Sequence, residues 1–172
     1  MSEKAIPKRY DVTKRSKLRT LEFFLLMIAV FFLLFRFVLG VSWVDGISMQ
    51  PTLKDGETIV YSRLDKDYSA GDIISIKMPN GDYYIKRIVA AEGDTVELKD
   101  GCLYVNGVKE QSQWAVGSTE EQDEDISYPL TLGRGQYFAL GDNREGSIDS
   151  RTYGPVSAAQ IRGTVIFHFK LF

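Results

Sequence analysis

Tyr83-Tyr84-Ile85-Lys86-Arg87-Ile88-Val89-Ala90-Ala91, then Thr95-Val96-Glu97-Leu98, then Cys102-Leu103-Tyr104-Val105 is the stretch that decides the fold. Its segments are short, rich in β-branched and aromatic residues, and interleaved with polar ones, which is the period of a strand. Asp100-Gly101 and Asn106-Gly107 punctuate it, and Asn80-Gly81 precedes it. Such pairs tolerate the positive φ angles of a tight hairpin turn, so consecutive strands are expected to be antiparallel neighbours. Working outward, Thr58-Ile59-Val60-Tyr61, residues 72–78, residues 137–140 and residues 164–169 have the same character. Only residues 157–162 read as a helical turn, with Ser157 as the cap. The expected body is mainly β, a compact antiparallel sheet of folded or barrel-like form, with no internal repeat.

At 172 residues the chain is one domain, or one domain plus an appendage. A hydrophobic content of 44% and a charged content of 26% allow a real core. The net charge of −2 hides an asymmetry: residues 1–20 carry seven Lys/Arg against Glu3 and Asp11, a sum of +5, which leaves −7 for the rest. An acidic body argues against nucleic acid as a partner, because phosphate neutralisation needs clustered Lys/Arg on the folded surface. Cys102 stands alone, so no intrachain disulfide forms and the fold rests on its core. With His168 the single histidine, no structural zinc site is expected. Both residues read as ordinary strand or core positions.

Residues 21–41 are apolar except for Glu22 near one end and Arg36 near the other. About twenty such residues cross a bilayer as a helix, provided Arg36 snorkels to the interface. The basic residues before the span place the N-terminus in the cytoplasm by the positive-inside rule, and everything after Val41 outside. The expected organisation is a basic cytoplasmic tail (1–20), a transmembrane anchor (21–41) and an extracytoplasmic body (42–172). A cleavable signal peptide ending near Val38-Leu39-Gly40 is the competing reading; it would leave the next motif only a few residues from a new terminus.

That motif is Gly46-Ile47-Ser48-Met49-Gln50-Pro51-Thr52-Leu53, an apolar-flanked serine just beyond the span. Read alone, it is equally a plain turn fixed by Pro51. Lys86 also admits two readings. Alternation puts Tyr84, Lys86 and Ile88 on one face; if that face is buried, the ammonium loses hydration and its pKa falls. A lysine neutral near physiological pH can take the proton of a serine hydroxyl, a weak nucleophile unaided. Otherwise Lys86 and Arg87 are the outward charges of an edge strand. Gly141-Asp142-Asn143-Arg144-Glu145-Gly146-Ser147-Ile148-Asp149-Ser150-Arg151 forms a tightly turned loop, suited to supporting an active site or serving as a structural turn. Asp149 and Arg151, two apart, are placed to hold one another. Residues 111–132, with Glu120, Glu121, Asp123, Glu124 and Asp125, have the composition of a solvated loop and match no calcium-loop pattern.

Together these elements resemble the bacterial type I signal peptidases, membrane-anchored serine/lysine proteases, in their small Gram-positive form. The resemblance rests on the single anchor, Ser48-Met49-Gln50-Pro51-Thr52, Gly71-Asp72-Ile73-Ile74, Tyr84-Ile85-Lys86-Arg87, Gly93-Asp94 and the 141–151 loop, in that order. Glu92 stands where the family usually has a proline.

The resemblance implies that Ser48 is the nucleophile and Lys86 the general base, with Ser147 orienting the amine. Asp149 would pair with Arg87 and Arg151. The Ser48 N–H is the expected oxyanion donor; some relatives add a serine two residues earlier, where this chain has Gly46, whose backbone is expected to help instead. Substrate would add as a β-strand, with Met49, Leu53, Tyr84 and Ile85 shaping shallow pockets for small side chains. The implied partners are signal peptides of exported preproteins and membrane lipid, with Trp43 at the interface. No cofactor is implied. Two other classes remain: a self-cleaving repressor, which would carry a DNA-binding region instead of an anchor, and a non-enzymatic export or surface-assembly factor, which would be expected to lack the serine or lysine.

Overall fold

The computed structural model describes residues 10–170, with side chains from residue 16 onward, so the basic tail expected over residues 1–20 lies partly outside the described residues. The chain divides after Val38 into two units.

The first unit is a helix, α1 (Tyr10–Leu33), continued by a π-helical turn (Leu34–Val38). Within it, Ser16–Val38 is long and apolar enough to cross a membrane by length and composition. Phe23, Leu26, Phe31 and Phe32 are all exposed on it. A helix that is apolar all round has no face suited to water. Arg36 lies in the π-helical turn, its guanidinium 5.3 Å from the Phe37 ring centre. The span expected over residues 21–41 is therefore corrected at its end. Leu39–Val41 leave the helix and enter strand β1 (Leu39–Trp43), because the neighbouring strand satisfies their main chain there.

The second unit is built of antiparallel strands. They are β1, β2 (Thr58–Ser62), β3 (Ile73–Lys77), β4 (Tyr83–Ala90), β5 (Thr95–Lys99), β6 (Cys102–Val105), β7 (Val108–Lys109), β8 (Leu130–Thr131), β9 (Gln136–Leu140), β10 (Val156–Ser157) and β11 (Ile161–Phe169). The larger sheet runs β1-β2-β11-β3-β4-β9-β10, and the smaller runs β7-β6-β5-β8. Asp100 (φ 52°) with Gly101 (69°), and Asn106 (54°) with Gly107 (76°), make the two-residue turns that join β5, β6 and β7. Between β3 and β4 the loop is longer: Met78 N bonds Asp82 O, and of the Asn80-Gly81 pair only Gly81 has positive φ.

Two expectations fail locally. Residues 157–162 are not helical: Val156 and Ser157 pair with β9, the Ser157 hydroxyl and N–H close onto Gln160 Oε1, and Ile161 starts β11. Ladder bonds to a neighbour outcompete one isolated helical turn, whose nucleation is costly. The helical turn is instead α2 (Ser150–Tyr153), where Asp149 caps by accepting the Arg151 N–H. The 111–132 segment is also less free than its composition suggests, since its end forms β8 on β5.

Three apolar clusters hold the unit together. Ile74, Ile76, Ile88, Ala139, Val156 and Ile161 pack on one side of the larger sheet. Val96, Leu98, Leu103, Leu132, Phe138 and Leu140 join it to the smaller one. Val44, Met49, Leu53, Ile59, Tyr61 and Ile85 form the third, directly under the turn that carries Ser48. Burying each such side chain stabilises by about 1.5–3 kcal/mol, so the Ser48 turn is anchored from both sides by Val44, Met49 and Leu53.

Candidate active site

Ser48 stands on the irregular link between β1 and β2, held between the buried side chains of Val44 and Met49 and tightened by a Leu53 N–H to Met49 O bond of 2.8 Å. Lys86 lies in β4, where Ile85, Lys86, Arg87 and Ile88 are buried in succession. Both faces of this strand are covered there, so Lys86 and Arg87 are not outward-facing charges. The lysine is only 4% exposed, and its Nζ donates to Ser48 Oγ at 2.8 Å. Loss of hydration lowers its pKa from 10.5 to about 8; Asp149 and Asp142 oppose the fall, and Arg151 assists it.

A cleft of about 380 Å³ opens beside this pair. Residues 43–49 form one wall, Tyr83–Lys86 the other, and Gly146 and Ile148 contribute from the 141–151 loop. Along Tyr83–Lys86, β4 is paired with β3, whereas β9 joins it only from Arg87 onward. Among the described residues, one main-chain edge of β4 therefore remains unpaired beside the cleft, and an extended chain can add to it.

The expected site residues divide. Met49, Tyr84 and Ile85 line the cleft; Leu53 does not, being fully buried in the third core cluster. Gly46 lines it too, but its N–H donates to Asp55 Oδ1 at 2.8 Å, so it is not the second oxyanion donor. The Asp149–Arg151 pair forms, with Nε–Oδ1 at 2.8 Å and Nη2–Oδ2 at 2.9 Å. Arg87 does not join it. Asp149 is occupied by two guanidinium bonds, the Arg151 N–H and the Gly141 N–H. Arg87 instead grips both oxygens of Asp142 at 2.8 Å, donates to Gly71 O at 2.7 Å, and lies 4.5 Å from the Trp114 ring centre. Ser147 does not orient the amine either: its buried Oγ has no hydrogen-bond partner among the described residues and packs against Gly141, while Lys86 bonds Ser48.

Three residues of this frame had no role assigned from the sequence. Asp142 takes Arg87 and also the Thr52 hydroxyl. Arg144, fully buried, bonds Gly141 O, Thr119 Oγ1 and Glu110. Asn143 bonds the Ser48 turn through both its main chain and its side chain. The available signal was the density of Asp, Asn and Arg directly after the apolar β9, since charges placed there must find partners in the interior. The acidic 120–125 segment is docked as well: Gln122 Nε2 donates to Ser147 O at 3.0 Å, and its Oε1 accepts from the Thr152 hydroxyl.

A buried amine bonded to a hydroxyl, beside a strand edge open to an extended chain, is a site suited to cleaving peptides through a serine. The family model described as signal peptidase, peptidase S26, matches residues 17–170, and the chain belongs to that family of serine endopeptidases. It is 32% identical over 157 residues to signal peptidase IB of Staphylococcus aureus strain Mu50, covering 81% of this chain and 82% of the relative. It is 38% identical over 141 residues to signal peptidase I of Bacillus licheniformis, covering 73% and 74% respectively. A crystal structure of a signal peptidase I from Enterococcus faecalis V583 is also similar, at 35% identity and a TM-score of 0.49, over 58% of this chain and 97% of that one. The enzyme is thus a hydrolase that removes signal peptides.

Proposed function

We propose that this chain cleaves signal peptides from exported preproteins with Ser48 as nucleophile and Lys86 as its general base. The observation that carries this reading is the 2.8 Å bond between Nζ and Oγ, made by an amine deprived of water. With a pKa near 8, about one-tenth of the amine is neutral at pH 7. The neutral amine takes the Ser48 proton as Oγ attacks the scissile carbonyl, and the Ser48 N–H meets the developing oxyanion. The ammonium then protonates the leaving amine, and the acyl-enzyme is hydrolysed by a water that Lys86 deprotonates in turn.

The signal peptide lies along the open edge of Tyr83–Lys86 and presents alternate side chains to the cleft. Met49, Tyr84 and Ile85 limit what fits there, which favours small residues next to the bond that breaks. Asp149, Arg151, Arg87 and Asp142 stiffen the frame.

The apolar helix serves as a membrane anchor with the basic N-terminus in the cytoplasm and the catalytic unit outside. Membrane lipid is a further partner of the catalytic unit itself. In the sheet register Val41, Val60 and Phe167 lie in one row and Trp43, Thr58 and Phe169 in another, with Val41, Trp43 and Phe167 exposed. An apolar strip of that kind suits the interface at which signal peptides emerge.

Incubating a preprotein with the full chain in detergent micelles, beside Ser48→Ala and Lys86→Ala, tests the mechanism. Both variants should fold and lose processing. A folded Lys86→Ala enzyme with near-normal turnover at neutral pH overturns it.

A further inference from the structure

We infer that Asn143 is a positioning residue that fixes the orientation of the Ile47–Ser48 peptide, and with it the direction of the Ser48 N–H. This rests on the reading of Ser48 as nucleophile and oxyanion donor. The Asn143 Nδ2 donates to Ile47 O at 3.3 Å, and the Asn143 N–H donates to Ser48 O at 3.0 Å. Ile47 O also accepts the Gln50 N–H at 3.1 Å, so its two lone pairs are both engaged. The Ile47–Ser48 bond is not among the cis peptides, so its C=O and N–H point in opposite directions across one rigid plane. Holding the carbonyl toward Asn143 and Gln50 therefore aims the Ser48 N–H the other way, free of the loop.

The same side chain ties the turn to the rest of the cleft. Asn143 Oδ1 accepts the Gly146 N–H at 3.2 Å, and Gly146 and Ile148 help to line the cleft. A Cβ at Gly146 would come within 2.7 Å of Asn143 Nδ2 and 3.1 Å of Ile47 Cδ1. The amide thus sits as a strut between the nucleophile turn and the opposing loop, and touches neither Lys86 nor the Ser48 hydroxyl by hydrogen bond. Its loss lets the peptide plane rotate without changing the dyad. Rotation misdirects a donor needed only once charge has developed on the substrate oxygen, so the effect belongs in the chemical step.

The test compares Asn143→Ala and Asn143→Asp with the parent in detergent micelles, using a preprotein and two peptides of one sequence, one ending in an aldehyde and one in the corresponding alcohol. The aldehyde forms a hemiacetal: Ser48 Oγ bonds to its carbonyl carbon, the carbonyl pair moves onto oxygen, and the serine proton passes to Lys86. It therefore probes the oxyanion site, and the alcohol probes binding alone. For Asn143→Ala, kcat should fall about 10- to 100-fold, part of what losing an oxyanion donor outright costs, with KM within about twofold and the pH profile set by Lys86 unchanged. Asn143→Asp, which puts a carboxylate against Ile47 O, should fall at least as far. The aldehyde-to-alcohol affinity ratio should drop by the same factor as kcat, and this ratio does not depend on how much of a variant is folded. An unchanged ratio, or a loss equal for both peptides, overturns the positioning role. Ser48→Ala run alongside separates the two readings: if it retains turnover, the serine mechanism itself falls, whereas an inactive Ser48→Ala beside an unchanged Asn143 ratio removes the strut alone.

Discussion

Replacing Lys86 by methionine should stabilise the enzyme it inactivates. Methionine keeps the length and apolar stem of the lysine and removes the buried amine. The fall of the amine's pKa from 10.5 to about 8 measures how much worse the folded protein is than water at holding its proton. At 1.36 kcal/mol for each factor of ten, that difference is about 3 kcal/mol at pH 7. Losing the bond to Ser48 Oγ offsets about 1 kcal/mol, so Lys86→Met should gain about 2 kcal/mol at neutral pH. The dependence on pH carries the sign. The unfolded chain keeps its lysine proton to about pH 10.5, and the folded chain releases it near pH 8. The parent therefore binds fewer protons folded than unfolded between these values, and its stability rises with pH across that window. The advantage of the methionine variant is complete below about pH 8 and fades as the pH nears 10.5. Urea unfolding of the full chain in detergent, followed by near-ultraviolet circular dichroism at pH 7, 9 and 10, measures it. A variant no more stable than the parent at pH 7, or a gap that stays constant to pH 10, would refute the claim that desolvation lowers this amine.

The rate should follow the same group: kcat/KM rises about tenfold per pH unit below pH 7 and levels above about pH 8, and a flat profile from pH 6 to 9 in folded enzyme would contradict the neutral-lysine base. Arg87→Met should cost about 3–5 kcal/mol by leaving the Asp142 carboxylate buried without its partner, while Arg87→Met with Asp142→Leu should recover much of the loss; equal losses in single and double variants, read by thermal melting, would deny the coupling. Gly163→Ala should destabilise by about 1–3 kcal/mol or more, because its Cβ would run into the main-chain carbonyl of Ser62 where β11 crosses β2; a melting temperature equal to the parent's would show that the strands can part without loss. Trp43, 71% exposed on β1, should move to a less polar setting on adding vesicles, so its fluorescence shifts to the blue; Trp43→Ala should abolish the vesicle-dependent part of the signal, and a shift that persists would place it at Trp114.

Sequence alone determined seven of the strands (β2 to β6, β9 and β11), the two-residue turns at Asp100-Gly101 and Asn106-Gly107, and the apolar helix, because each depends on the residues at hand: β-branched alternation, glycine's freedom at positive φ, and unbroken hydrophobicity. It also singled out Ser48 and Lys86, but left Lys86 divided between a buried base and an exposed edge charge, since alternation assigns two faces without saying which is covered. Here both are. Hydropathy likewise ran the span to Val41, because it scores apolarity and does not register that β2 offers Leu39–Val41 hydrogen-bond partners. Tertiary structure decided the pairings in the 141–151 loop. Asp142 and Asp149 stand in one short loop and both are candidates for Arg87, and only the folded chain shows Asp149 filled by Arg151 and two main-chain N–H groups. The same holds for Gly46, whose N–H is taken by Asp55, and for the Ser147 hydroxyl, which faces Gly141. A hydrogen bond has one donor and a limited set of acceptor lone pairs, and which contender wins depends on distances across the fold that no local pattern encodes.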